Sequence, residues 1–347
     1  MELQNPVGLA GISFVEFASR DPGALHRLFT EFGFSRTMRH AQRDVDLYQQ
    51  GNIVFLLSRA PNGHAASFER AHGPSIVSMG WNTTHAPDTA AQTAVARGAR
   101  ASTGEYNFGG APLASIYGIG DSLIYFTPAG TTPFAEMGFV PVEDAEAVPS
   151  KGFLAIDHLT NNVERGTMER WSNFYKEVFG FTEVRYFDIR GAKTGLVSYA
   201  LRSPCGSFCI PINEGTDKKS QINEYLEEYN GPGVQHLALM SADLLGSLRA
   251  LEGSTAIRFL DIESDYYADV FERIPNVVED HAEIQRRNVL VDGDDEGYLL
   301  QIFTHNVVGP IFIELIQRRN HLSFGEGNFG ALFRSIERDQ ERRGYLA

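Results

Sequence analysis

The sequence predicts an α+β protein of two homologous halves, each built from paired βαβββ units whose curved open sheets (half-barrels) surround a cavity, with a helix at the C-terminus. Three observations predict it: the chain repeats itself, strand-like runs of about six to eight residues alternate with amphipathic stretches, and the last apolar stripe has helical spacing.

The repeat comes first. Gly8-Leu9-Ala10-Gly11-Ile12-Ser13-Phe14 parallels Gly152-Phe153-Leu154-Ala155-Ile156-Asp157-His158, and each run leads to an amphipathic stretch ending in Gly-Phe, at Ala24 to Phe34 and Met168 to Phe181. His72-Gly73-Pro74 with Met79-Gly80-Trp81 matches Asn230-Gly231-Pro232 with Leu237-Ala238-Leu239, and Asp121 to Thr127 matches Tyr298 to Thr304. Charge and proline interrupt the pattern at Pro141 to Lys151, so residues 1–145 and 151–347 are expected to be separate domains. Phe14 stands where His158 does and Ser78 where His236 does, which makes the first half a scaffold lacking the ligating residues of the second.

In the second half, strand signals lie at Phe153 to Thr160, Val184 to Ile189, Gly195 to Leu201, Phe208 to Asn213, Val234 to Met240, Asn288 to Val291, Tyr298 to Thr304 and Pro310 to Gln317. Helices are expected at Thr167 to Phe179, Ser220 to Tyr229, Ala242 to Glu252 and Tyr266 to Arg273. A last helix follows Gly327-Asn328 and runs to about Arg343, with Phe329, Leu332, Phe333 and Ile336 on one face. Because this stripe follows the flexible Gly325-Glu326-Gly327, residues 328–343 are read as a lid, although a permanently docked helix would show the same stripe.

Composition narrows the function. Hydrophobic content of 43% with 21% charged residues suits a sizeable core, and 347 residues are long for one. A net charge of −14 argues against nucleic acid, since nothing neutralises a run of phosphates. It also means that an anionic substrate must be attracted locally, by a cation such as a metal. No stretch approaches the roughly 18 apolar residues that span a membrane, and the Met1 to Pro6 start has no basic region leading into an apolar one, so a cytoplasmic location is expected. Cys205 and Cys209 lack further cysteine partners, which favours two buried thiols over a metal or redox pair.

Three runs carry chemistry. Ile156-Asp157-His158-Leu159-Thr160, Val234-Gln235-His236-Leu237-Ala238 and Ile311-Phe312-Ile313-Glu314-Leu315-Ile316 each set one strong metal ligand in an apolar strand, where an unpartnered polar group is costly. A lone strand histidine is more often a hydrogen-bonded core residue, and a lone strand Glu an ion-pair partner. Together, two histidines and one carboxylate match the facial triad that leaves positions open on Fe(II) for a chelating substrate and dioxygen.

Period-two alternation orders the surroundings. Leu299, Gln301 and Phe303 share a face, as do Phe312, Glu314 and Ile316; a hairpin turning near Asn306 to Val308 sets Gln301 about opposite Glu314. Pro211 and Asn213 share another face, and Ser198 lies with Leu196 and Ala200. Gln301 also fits a core amide bonded to backbone, and Asn213 a turn residue of Asn213-Glu214-Gly215.

The runs Asp157 to Val163, Ser220-Gln221-Ile222, Gly233 to Leu239, Leu299 to Thr304, Ile313 to Arg318 and Phe324 to Phe329 resemble the 4-hydroxyphenylpyruvate dioxygenase family, of the vicinal oxygen chelate superfamily. The likeness runs through most of residues 150–347 and, more weakly, the first half. One departure stands out: His321-Leu322-Ser323 replaces a stretch that usually has Gly just before the Phe324 position. The resemblance implies one Fe(II) per chain on His158, His236 and Glu314, and conversion of 4-hydroxyphenylpyruvate and dioxygen to homogentisate and carbon dioxide. It makes Ser198, Asn213, Gln221, Gln235 and Gln301 polar orienters of the substrate, and Pro211, Phe303, Phe324 and Phe329 walls. Hydroxymandelate synthases share the triad and the substrate but tend to replace the residues standing here as Pro211, Asn213, Phe303 and Phe324. A metal-free binding protein of the same fold is the alternative from another class. A homo-oligomer, dimer or tetramer, is the expected assembly.

Overall fold

The computed structural model describes residues 4–191 and 193–346, with 144 and 146 by backbone alone; Met1 to Leu3 of the start read above lie outside it. Eighteen strands and nine α-helices follow one another among these residues. The first half holds β1 (Leu9–Ala18), α1 (Pro22–Glu31), β2 (Ser35–His40), β3 (Val45–Gln50), β4 (Ile53–Ser58), α2 (His64–His72), β5 (Ser75–Thr83), α3 (Pro87–Ala96), the small strands β6 (Asn107–Phe108) and β7 (Ala111–Pro112), then β8 (Ser115–Tyr117), β9 (Leu123–Pro128) and β10 (Phe139–Glu146). The second holds β11 (Phe153–Val163), α4 (Met168–Phe174), β12 (Thr182–Arg190), β13 (Gly195–Arg202), β14 (Cys209–Gly215), α5 (Gln221–Tyr229), β15 (Gly233–Ser241), α6 (Leu244–Ala250), α7 (Val270–Arg273), α8 (His281–Arg286), β16 (Leu290–Gly293), β17 (Tyr298–Phe303), β18 (Phe312–Arg319) and α9 (Phe329–Arg342).

Each half curls one eight-stranded sheet, in the orders β10-β2-β3-β4-β1-β5-β9-β8 and β12-β13-β14-β11-β15-β18-β17-β16. The repeat is therefore structural, down to irregularities in register. The pair β1–β5 shifts at Leu9/Gly11, Ile12/Phe14 and Glu16/Phe17, and β11–β15 at Phe153/Ala155, Ile156/His158 and Thr160/Asn161. Such bulges sharpen the twist and re-aim side chains, which suits strands that curve around a site.

Topology corrects one sequence match. Leu123–Pro128 pairs in parallel with β5, the place that Phe312–Arg319, not Tyr298–Phe303, takes beside β15. Both are apolar edge-to-centre strands with similar composition, so likeness of the runs does not report position. The residue at the Glu314 place is thus Tyr125, which pairs with Gly80 as Glu314 pairs with Ala238. The second unit of the first half is also one strand shorter than βαβββ, and β10 returns to the far edge.

Several boundaries differ from expectation. The helix read over Thr167 to Phe179 is α4 followed by a π-turn at Tyr175–Phe179, which Gly180 ends in left-handed conformation at φ 82°. Tyr266 to Arg273 is a 3-10 turn, Ser264–Ala268, before α7. The short α8, capped by Asp280 on the Glu283 N–H, escaped the sequence reading because its few residues show no full period. Cys205 and Cys209 are free and half-buried.

One apolar cluster runs through both halves, with Trp81 packed on Phe179 (ring centroids 4.8 Å) and Phe208 (5.6 Å). A second, formed by Phe14, Tyr106, Tyr125, Phe134 and Phe139 among others, fills the first half on the face that carries the cavity in the second. Phe14 takes the space above Gly80, where a Cβ would lie 2.3 Å from its ring. No helix among the described residues is long and apolar enough to cross a membrane.

Candidate active site

β11, β15 and β18 lie side by side, so each contributes one side chain to a common spot. His158 pairs with Ala238, which pairs with Glu314, while Thr160 pairs with His236. The Nε2 of His158 lies 3.2 Å from Nε2 of His236 and 3.0 Å from Oε2 of Glu314, and His236 Nε2 lies 3.4 Å from the same oxygen. His158 and Glu314 are buried, and the His236 side chain is 11% exposed. Among the described residues, this is the group of three whose ligand atoms converge, all within 4.8 Å.

The donor chemistry fits a metal ion. Asp157 Oδ2 lies 2.8 Å from Nδ1 of His158, and Gln235 Oε1 lies 3.0 Å from Nδ1 of His236. Each acceptor takes the Nδ1–H, which leaves both Nε2 atoms turned towards one another and a carboxylate oxygen, where a bound cation or a proton is stabilised. The charges say the same. Burial works against a charged His158, yet Glu314 and Asp157 hold its pKa up to about 9; burial also works against an ionised Glu314, yet His158 holds it down to about 2. His236 is pushed below the usual imidazole value by burial. The shifts of His158 and Glu314 have one cause, the attraction between His158 and the carboxylates around it, and the same field favours a bound cation at this spot.

Around these ligands a half-open, largely apolar cavity forms. Every residue singled out above for the site lines it: His158, His236 and Glu314; Ser198, Asn213, Gln221, Gln235 and Gln301; Pro211, Phe303, Phe324 and Phe329. Asn213 lies within β14, which disposes of the turn reading, and its Nδ2 donates to Gln235 Oε1 at 3.4 Å. Gln221 opens α5, whose first turn is capped by Ser220. The Oε1 of Gln301 is buried without a protein partner.

The register of β17–β18 differs from the expected one. Phe303 pairs with Glu314 and Gln301 with Ile316, because the chain reverses at Val308–Ile311 rather than near Asn306 to Val308. A slip of two residues keeps every side chain on its face, so Gln301 still reaches the cavity, but Phe303 stands beside the carboxylate.

The face of α9 read from the sequence, Phe329, Leu332, Phe333 and Ile336, closes the cavity from above. Other residues of the site were not foreseen. Phe312, which alternation set on the face of Glu314 without giving it a part in the site, stacks on His236 with centroids 4.7 Å apart. Phe187 packs on Phe329 at 5.1 Å, and Thr160 Oγ1 lies 3.0 Å from His236 Nε2. Asp157, which forms an ion pair with Arg318 at 2.7 Å, left no such signal: alternation sends it away from His158, and the bulge at Ile156/His158 brings it back, whereas Arg318 continues the face of Phe312, Glu314 and Ile316.

Known proteins agree with this architecture. Residues 3–130 match the family model "Hydroxyphenylpyruvate dioxygenase, HPPD, N-terminal", and residues 155–285 match that of the glyoxalase/bleomycin resistance protein/dioxygenase superfamily. A 4-hydroxyphenylpyruvate dioxygenase of Legionella pneumophila (strain Corby) is 42% identical over 100% of this chain and 99% of its own. The chain belongs to the 4-hydroxyphenylpyruvate dioxygenase family. Protein MelA of Shewanella colwelliana is 56% identical over 99% of each chain. Among solved structures, a triple mutant of 4-hydroxymandelate synthase from Streptomyces coelicolor superposes with a TM-score of 0.84 at 25% identity, covering 97% of this chain and 100% of its own. Membership of the dioxygenase family makes the protein an enzyme, and the superfamily together with the buried triad implies a metal at this site.

Proposed function

We propose that the protein converts 4-hydroxyphenylpyruvate and dioxygen to homogentisate and carbon dioxide, with Fe(II) held by His158, His236 and Glu314. The observation that carries this reading is the convergence of two imidazoles and one carboxylate at the base of an aromatic-walled cavity. Bound Fe(II) supplies sites for a chelating 2-oxo acid and for dioxygen, and the electrons that dioxygen chemistry requires. Two neutral imidazoles and one carboxylate leave such an ion with a charge of about +1, which attracts the substrate carboxylate into an otherwise acidic protein.

The protein's own groups then hold the substrate. Gln301 presents a carbonyl oxygen that no protein group occupies, fitting a phenol hydroxyl as donor. Asn213 and Gln235 form a chain of amides ending on His236, and Ser198 and Gln221 extend the polar lining. Phe303, Phe324 and Phe329, with Pro211, confine the ring and exclude water. The segment 328–343 acts as a lid whose apolar face covers the cavity, and residues 1–145 act as scaffold. Homo-oligomeric assembly and a cytoplasmic location belong to the same reading; sedimentation and cell fractionation measure them.

The test is product analysis after anaerobic loading with Fe(II) and addition of 4-hydroxyphenylpyruvate and oxygen. Homogentisate is the expected product. Hydroxymandelate would assign the chain to the synthase chemistry, and binding without turnover would make it a binding protein.

A further inference from the structure

Arg318 lies one residue before the end of the strand that carries Glu314, and its guanidinium bonds two targets. Nε and Nη2 donate to Oδ1 and Oδ2 of Asp157 at 2.7 and 2.8 Å, a planar fork on a carboxylate that also takes the Nδ1–H of His158 at 2.8 Å. Nη1 donates to the backbone carbonyls of Ser323 at 2.6 Å and His321 at 3.1 Å. Those carbonyls immediately precede Phe324, whose ring centroid lies 5.9 Å from the guanidinium and 5.7 Å from the His158 ring. The side chains of Arg318 and Asp157 are 12% and 11% exposed, so neither charge is left to water. Asp157 is held well below the usual carboxylate range, against burial, by Arg318 and His158.

We infer that Arg318 is a positioning residue that places a metal ligand and a cavity wall together: one side of its fork holds Asp157 on His158, and the other holds the 321–323 backbone that sets Phe324. This rests on the reading of His158 as a metal ligand. A carboxylate on Nδ1 fixes the tautomer and the ring orientation that aim Nε2 at the ion, and such partners typically change metal affinity by about 10- to 100-fold when lost. A lysine keeps the charge but cannot span both targets, having a single nitrogen in place of the fork. In this chain the stretch before Phe324 is His321-Leu322-Ser323, and it is these carbonyls that the guanidinium holds.

The experiment compares Arg318→Lys and Asp157→Asn with the parent chain. Co(II) is the probe: its binding is measured by competition with a chelator, its visible absorption reports the ligand geometry, and the Fe(II)-loaded proteins report homogentisate formed per oxygen consumed. Asp157→Asn is expected to weaken Co(II) about tenfold or more and leave the coupling of oxygen to product near the parent's. Arg318→Lys is expected to weaken Co(II) by a similar factor, alter its spectrum, and lower the yield of homogentisate per oxygen as well. A purely structural ion pair would lower the melting temperature of both variants without moving affinity, spectrum or yield, and that result overturns the inference. If Arg318→Lys does not fold, Asp157→Asn decides alone: parental Co(II) affinity there removes the link to His158. A parent chain that binds no Co(II), or whose His158→Ala variant binds it equally well, defeats the metal-site reading itself, an outcome distinct from all of these.

Discussion

Glu337 on α9 grips the turn of a neighbouring hairpin: its Oε1 accepts the backbone N–H groups of Lys193 at 3.1 Å and Thr194 at 3.0 Å, and the Thr194 hydroxyl at 3.0 Å. The residue is buried, and its partners lie between β12 and β13, strands that themselves wall the cavity through Phe187, Leu196 and Ser198. This contact anchors α9 from its polar side while Phe329, Leu332, Phe333 and Ile336 line the cavity from its apolar side. Glu337→Ala is expected to loosen α9 by about 1–3 kcal/mol, leaving the rest of the fold intact. Faster hydrogen exchange confined to α9, with more oxygen consumed per homogentisate formed, is the expected pair of observations. Unchanged exchange would show that the apolar face suffices.

Replacing His158, His236 or Glu314 by Ala is expected to abolish turnover while the fold survives, because each supplies one of three converging ligand atoms. Metal content and homogentisate formation are measured on each variant. Full activity in any one of them removes that residue from the triad.

Phe303 pairs directly with Glu314, so its ring borders the proposed metal position more closely than the sequence suggested. Phe303→Leu is expected to loosen the substrate ring and divert product from homogentisate towards hydroxymandelate or uncoupled oxygen use, by about tenfold in the ratio. An unchanged ratio at an unchanged rate would show that the wall is set by Phe324 and Phe329 instead.

Glu16 offers a test of the first half. It is fully buried, accepts hydrogen bonds from Ser78 and Tyr106, and burial pushes its pKa up to about 7. An unfolded chain releases this proton near the ordinary value of 4.5, so between about 4.5 and 7 the folded state binds more protons than the unfolded one. Stability contributed at this position therefore falls as pH rises through that window, by up to about 3 kcal/mol, and stays low above it. Glu16→Gln keeps the shape and removes the titration. It is expected to match the parent below pH 4.5 and exceed it in denaturant melts at pH 8; an identical pH slope in both proteins would show that folding does not raise the Glu16 pKa.

Gly325, just before α9, has φ 79°, and a Cβ there would sit 2.1 Å from Oε1 of Gln301. Gly325→Ala is expected to cost about 1–3 kcal/mol of local strain and to displace the Gln301 amide. Its signature is a rise in KM larger than any change in metal affinity. Parental KM would mean that the backbone at 325 relaxes without moving Gln301.

The sequence by itself determined the kinds of element and the faces they present. Alternation along Pro310 to Gln317 and Tyr298 to Thr304 put Glu314, Gln301 and Phe303 on cavity faces, and helical spacing put Phe329, Leu332, Phe333 and Ile336 on one side of α9, because side-chain direction follows from local periodicity alone. The repeat, too, was legible, since two copies of one unit keep the same apolar pattern. Tertiary structure decided what depends on pairing between distant strands. The two-residue slip that places Phe303 rather than Gln301 beside Glu314 comes from where the hairpin reverses, and the position of Tyr125 at the Glu314 place comes from strand order. Asp157 and Arg318 meet across an intervening strand, 161 residues apart in sequence, because a bulge turns a residue that alternation sends outward back towards its neighbour. Local pattern sets which way a side chain points; only the register and curvature of the assembled sheet set what it meets.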